Sequence, residues 1–227
     1  MTGIDFGALW LTLRVAGWAT LLAAAGGVSL GLFVARHRFP GREVLDALLT
    51  LPMVLPPTVM GYYLIVLLGR RSALGGWLAD TLGLQLMFTW QGAVVAASVV
   101  AFPMVFKSAR AAFEGVDTTL ENAARVLGAG EWKVFARVTL PLAARGIVAG
   151  GMLAFARAMG EFGATLMIAG NIPGKTQTLS MAVYDAVQSG NDAQANLLVG
   201  VISVTCVFIL VLSGQLLRPR HPGARPR

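Results

Sequence analysis

Long apolar runs separated by short charged segments set the pattern of this chain. The first run, Phe6 to Ala35, is interrupted by Arg14 and exceeds the ~20 residues that a bilayer-spanning helix needs. Val44 to Leu68, about Phe88 to Phe106, Leu142 to Ala169 and Leu197 to Leu217 repeat the pattern. The hydropathy therefore predicts an all-α, polytopic membrane protein with five spans. Residues 1–217 read as one transmembrane domain, and 218–227, RPRHPGARPR, as a basic, disordered tail.

The runs differ in their interruptions. Pro52, Pro56 and Pro57 lie inside the second, and each removes a backbone donor, so that helix is expected to be kinked or locally unwound. A broken helix of this kind lines a pathway in some proteins and is a bent packing element in others, and both readings stay open for Pro56 and Pro57. The fourth run holds Arg157 and Glu161 at i, i+4, where they either neutralise each other within one helix or make a pathway tolerable to an anion. Arg14 is expected to be paired or to snorkel. In the first run, Ala23 to Gly27 reads as small residues that let helices approach closely, and the run as a span in place of a cleaved leader, because no basic residue precedes it. Between the second and third runs, Gly75, Gly76 and Trp77 suggest a short interfacial helix.

One polar stretch stands apart, Asp117 to Pro141, between the third and fourth runs. Leu120, Ala123, Ala124 and Leu127 recur at helical spacing on one face, with Glu121, Asn122 and Arg125 mostly off it. Thr118 and Glu121 suggest a capping box. Gly128, Ala129 and Gly130 break the helix, a second start follows at Glu131, and Pro141 is expected to turn the chain into the next span. Periodicity alone fits either a helix lying on the membrane surface or a helix that docks onto a partner.

Composition changes the picture little and charge changes it more. The chain is 56% hydrophobic and 13% charged, with a mean hydropathy of +0.70, which places it in a bilayer. A net charge of +7 would suggest nucleic acid for a soluble protein, but the basic residues cluster in a few loops, so no nucleic-acid partner is expected. With the N-terminus outside, thirteen Lys and Arg residues outside the spans fall in the cytoplasm and three, Arg70, Arg71 and Lys175, outside. That asymmetry puts Asp117 to Pro141 and the C-terminus in the cytoplasm.

Candidate chemistry is sparse. The lone cysteine, Cys206, lies in an apolar run and offers neither a disulfide nor a thiolate metal site. His37 lies in a basic turn and His221 in the tail, with no clustered ligands, so no metal and no cofactor are expected. Gly170 to Thr176, ending in Gly174-Lys175-Thr176, imitates a phosphate-binding loop, but its spacing is one residue short and it follows an apolar run, not a strand. No catalytic constellation emerges, so an enzyme is not expected; without its own ATPase site, active transport would need a separate motor. A self-powered transporter or channel is the rival reading, and it predicts an ion relay and often an inverted repeat, neither of which is visible.

Two sets of motifs resemble a known family. Asn122-Ala123-Ala124, Gly128, Val138 and Leu140-Pro141 are spaced as in the EAA loop of binding-protein-dependent ABC importer permeases, with Asn122 in the usual acidic position, Glu121 one residue early and Val138 in place of Ile. The resemblance implies that Leu120, Glu121, Asn122, Ala123, Ala124, Leu127, Gly128, Ala129 and Gly130 form a coupling helix that docks onto a cytoplasmic ATPase. Leu51-Pro52-Met53-Val54-Leu55-Pro56-Pro57, Gly160-Glu161-Phe162-Gly163-Ala164-Thr165 and Asn171-Ile172-Pro173-Gly174 are similar to segments of molybdate permeases, and the likeness covers nearly the whole chain. Sulfate permeases share the Gly-Glu-Phe-Gly-Ala segment, and tungstate is not separable from molybdate. The family implies a type I importer fold in a bacterial inner membrane, a homodimer, two ATP-binding subunits and an extracytoplasmic oxyanion-binding protein.

Overall fold

The computed structural model describes residues 6–217; the basic tail lies outside the described residues. Helix α1 (Phe6–Arg36) and helix α5 (Trp90–Glu114) form the longest contact of the fold. Their seam is made of small residues. Ala16, Ala19, Ala23, Gly27 and Gly31 on α1 are buried, as are Ala93, Ala97, Ala101 and Ala109 on α5. A Cβ added at Gly27 would lie 2.9 Å from the Phe106 backbone nitrogen, so backbone meets backbone there and no larger residue fits. In lipid, where burying apolar area gives little, this close approach is what holds two helices together.

Helices α2 (Arg42–Val54) and α3 (Pro57–Leu68) are the two halves of one run, bent by 113°. Leu55 is extended and Pro56 follows with ψ 139°, so the break falls at the Pro-Pro pair, and Pro57 starts the new helix where its missing N–H costs nothing. Pro52 stays inside α2. The two halves meet α5 at different levels. Asp46 on α2 bonds Lys107 and Arg110 near the Glu114 end of α5, while Leu64 and Leu68 on α3 pack with Ala96 and Val100 nearer its Trp90 end. Counted as one span, it joins four unbroken apolar helices to make five among the described residues.

Beyond α3, Ser72 caps the short helix α4 (Ala73–Leu82), the helix expected around Trp77. Helix α5 outruns the third apolar segment by eight residues, so Lys107 and Arg110 lie within it. Helix α6 (Thr118–Val126) and helix α7 (Glu131–Val134) follow, then a π-helical turn, Phe135–Thr139, which continues into α8 (Leu140–Met159). The turn expected at Pro141 is therefore absent. Helix runs unbroken from Glu131 to Met159, and the wider π-helical turn absorbs the donor and the space that Pro141 takes from the ladder.

The fourth run is also interrupted where continuity was expected. Helix α8 stops at Met159, and α9 (Gly163–Ala169) begins after three residues. Gly146 packs against Ala112 and Gly150 against Ser108, an antiparallel register that carries the end of α8 to the middle of α5. Helix α10 (Leu179–Gln188) is tied to α1 by the Leu179 N–H donating to the Thr12 hydroxyl at 2.8 Å. Helix α11 (Asp192–Leu217) closes the bundle.

Candidate functional site

Two features hold the residues singled out from the sequence. The first is α6. Its start is fixed by Asp117, whose carboxylate accepts the Thr119 N–H at 2.8 Å; the capping box expected of Thr118 and Glu121 does not form. Its end is a Schellman motif, in which the Ala129 N–H reaches Ala124 O at 3.0 Å and the Gly128 N–H reaches Arg125 O at 2.9 Å. Gly128 stands at φ 81°, the left-handed conformation this cap requires, which is why glycine stands there.

Glu121 fails to form the box because a stronger partner holds it. The Arg36 guanidinium, at the end of α1, grips the Glu121 carboxylate with both Nη atoms, Nη1 to Oε2 at 2.7 Å, and Thr139 donates its hydroxyl to Oε1. Glu121 and Thr139 are both buried. The apolar face of α6 points the other way: Leu120, Ala123, Val126 and Leu127 are exposed, with Val126 and Leu127 each 87% exposed. Ala124 is half-buried, and Asn122 is exposed, accepting from Arg125. Arg125 also straps α6 to α7 through a bidentate pair with Glu131.

The hydrogen bond from Arg36 holds the Glu121 carboxyl below the usual carboxylate range, and Thr139 adds a second donor, while burial opposes both. A lowered carboxylate gives stability that is whole above the unfolded pKa of ~4.3 and is lost as the pH falls through that value toward the folded one. The attachment of α6 is therefore expected to be constant at neutral pH and to fail only in acid. Amide hydrogen exchange across 118–126 checks this: protection unchanged between pH 6 and 8 and reduced, after correction for intrinsic rates, below pH 4.

The second feature lies where the two interrupted apolar runs meet. A Cβ added at Gly163, the first residue of α9, would fall 2.7 Å from Pro57 Cβ, so the break before α3 lies against the break before α9. Arg157 Nη1 pairs with Glu161 Oε2 at 2.8 Å, and Glu161 Oε1 accepts the Ala164 N–H at 2.9 Å, satisfying one of the free donors of α9. Glu161 is buried, Arg157 is partly exposed, and Pro56 and Pro57 are exposed. Of the four pathway candidates, Arg157 and Glu161 are therefore paired, and Pro57, next to Pro56, lies against Gly163 two residues beyond Glu161. Non-helical backbone at membrane depth is tolerated where it is enclosed by protein or lines a cavity.

Elsewhere, Arg14 lies over the Trp90 ring, 3.8 Å from its centroid. The Gly170 to Thr176 loop closes on itself: the Thr176 hydroxyl accepts the Ile172 N–H and donates to Gly170 O, so it is not free for a phosphate. Sequence reasoning passed over Arg36 and Thr139, which lie 85 and 18 residues from Glu121 and carry no local signal. It also passed over the ion network of Arg42, Asp46, Lys107, Arg110 and Glu114, for which a signal existed: Asp46 sits alone among the apolar residues Val44 to Leu49.

A bundle of apolar helices with breaks before α3 and α9, carrying a short helix whose apolar side faces outward, is the architecture of a multi-span membrane component. Residues 27–221 match the family described as binding-protein-dependent transport system inner membrane component, and the chain belongs to that family. The molybdenum transport system permease protein ModB of Escherichia coli (strain K12) is 44% identical over 213 residues, 93% of each chain. A molybdenum permease YvgM of Bacillus subtilis, itself described as putative, is 42% identical over 82% of each chain. The sulfate permease CysW of E. coli (strain K12) is 34% identical over 92% of this chain and 72% of its own. Among solved structures, the inward-facing methionine transporter MetNI matches with a TM-score of 0.72 at 18% identity, over 93% of each chain. A bacterial alginate transporter in complex with its periplasmic protein matches at 0.73 and 18%, over 94% of this chain and 78% of that one.

Proposed function

We propose that this chain is the permease subunit of an ATP-driven importer of molybdate. It acts as a homodimer with two copies of an ATP-binding subunit at the α6 face and an extracytoplasmic oxyanion-binding protein at the opposite face. The N-terminus lies outside, and the C-terminus and α6 lie in the cytoplasm, as the distribution of Lys and Arg favours. The observation that carries the mechanism is the outward-facing apolar side of α6, Leu120, Ala123 and Leu127, on a helix whose polar side is tied to the bundle. Leu120 to Gly130 would fill a groove on the ATP-binding subunit. Nucleotide binding would draw two such helices together and switch the bundle between inward- and outward-facing states.

The substrate rests on the relatives, since identity is 44% to a molybdenum permease and 34% to a sulfate permease over a comparable share of the chain. Uptake of labelled molybdate into vesicles holding the complex, with unlabelled competitors outside, tests it. Tungstate should compete and a hundredfold excess of sulfate should not; dominant competition by sulfate would overturn the assignment.

The break shared by Pro56, Pro57, Arg157 and Glu161 is the pathway segment of this reading. Removing Arg157 alone strands a buried carboxylate, which costs about 3–5 kcal/mol. The informative change is Arg157→Gln with Glu161→Gln, which removes both charges together, keeps the shape of the glutamate and leaves no unpaired buried carboxylate. The double variant is expected to assemble and to import molybdate at least tenfold more slowly; wild-type uptake would make the pair a packing feature alone.

A further inference from the structure

Docking explains how a motor could grip α6, but not how movement of α6 reaches the spans. Apolar packing does not attach it. Among the described residues of α6, Glu121 alone is buried, and the principal neighbours of the helix are α7 and the π-helical turn. Nine residues are too few to hold a helix in place by themselves. We propose that Arg36, Glu121 and Thr139 are a clamp that passes displacement of α6 into α1 and α8 together, which makes Arg36 and Thr139 positioning residues for the coupling of hydrolysis to import. The inference rests on the functional reading above.

Three observations carry it. The Arg36–Glu121 contact is a two-point fork, which resists rotation as well as translation, whereas apolar surfaces slide. Its members sit where each span begins or ends: Arg36 is the last residue of α1, and Thr139 is the last of the π-helical turn that feeds α8. Each leads along stiff structure to the interior. From Arg36, Gly31 and Gly27 lie in close backbone contact with α5; from Thr139, α8 runs without interruption to Met159, at the break where Glu161 and Pro57 lie. The other strap, Arg125 to Glu131, joins α6 only to α7 and is exposed, where water and salt weaken it.

The test measures molybdate import and ATP hydrolysis in the same vesicles, which hold the permease, the ATP-binding subunit and the binding protein. Arg36→Gln and Thr139→Val should retain the ATP-binding subunit on purification and hydrolyse ATP within about twofold of wild type. Molybdate imported per ATP should fall at least tenfold for Arg36→Gln and several-fold for Thr139→Val. The exchange Arg36→Glu with Glu121→Arg should recover part of the ratio. A clamp that merely stabilises the fold would lower import and hydrolysis in proportion, and an unchanged ratio in both variants overturns the inference. If Arg36→Gln does not assemble, Thr139→Val, which leaves the ion pair intact, decides alone. Absence of ATP-dependent import by the wild-type complex would instead sink the functional reading.

Discussion

Replacing Leu127 with Asp is expected to release the ATP-binding subunit and to lower ATP-driven uptake by two orders of magnitude, with the permease itself still folded. Leu127 is 87% exposed and caps α6, so a charge there meets water in the isolated chain and disturbs no core. In a docked complex the same position would be central to an apolar contact. Losing the leucine and burying an unpaired carboxylate at such a position costs about 2–4 kcal/mol, roughly 30- to 1000-fold in affinity. Co-purification of the two subunits with a thermal melt of the permease alone checks both halves: lost association with an unchanged melt is the expected result. Retained association would mean that α6 is not the docked surface.

Gly27→Leu is expected to act in the opposite sense, through the fold. The new side chain would press on the Phe106 backbone nitrogen and on Val105 Cβ, atoms that no rotamer change can move. Overpacking of this kind costs about 1–3 kcal/mol in soluble cores, and a seam that depends on close backbone approach has fewer ways to relax. Gly17→Leu is the control, because an added Cβ at Gly17 meets nothing within 4 Å. Yield of monodisperse protein in detergent should collapse for the first and hold for the second.

Hydropathy gave the spans because the bilayer imposes one length on all of them, and the Leu55-Pro56-Pro57 break was visible because proline cannot stay in the ladder. The Gly160–Phe162 break carried no such mark. Gly160 weakens a helix without ending it, and at the break Glu161 turns to satisfy Arg157 and the Ala164 N–H at once. The register of α6 was half legible. Periodicity identified its apolar face, but not that the face would point away from the bundle, because the inward position belongs to a carboxylate whose partner lies 85 residues away. Long-range ion pairing leaves no period in a sequence. The same limit hid the network around Asp46, although an acid inside an apolar run already signals a distant cation.

The central claim is that α6 is the handle by which a separate ATPase moves this bundle. A single cysteine tests it most directly, introduced as Leu127→Cys in a Cys206→Ser background. In intact membranes it should resist an impermeant thiol reagent added from outside and crosslink to the ATP-binding subunit, with a yield that changes when ATP is added. Labelling from outside, or no crosslink while ATP-driven molybdate uptake continues, would contradict the account.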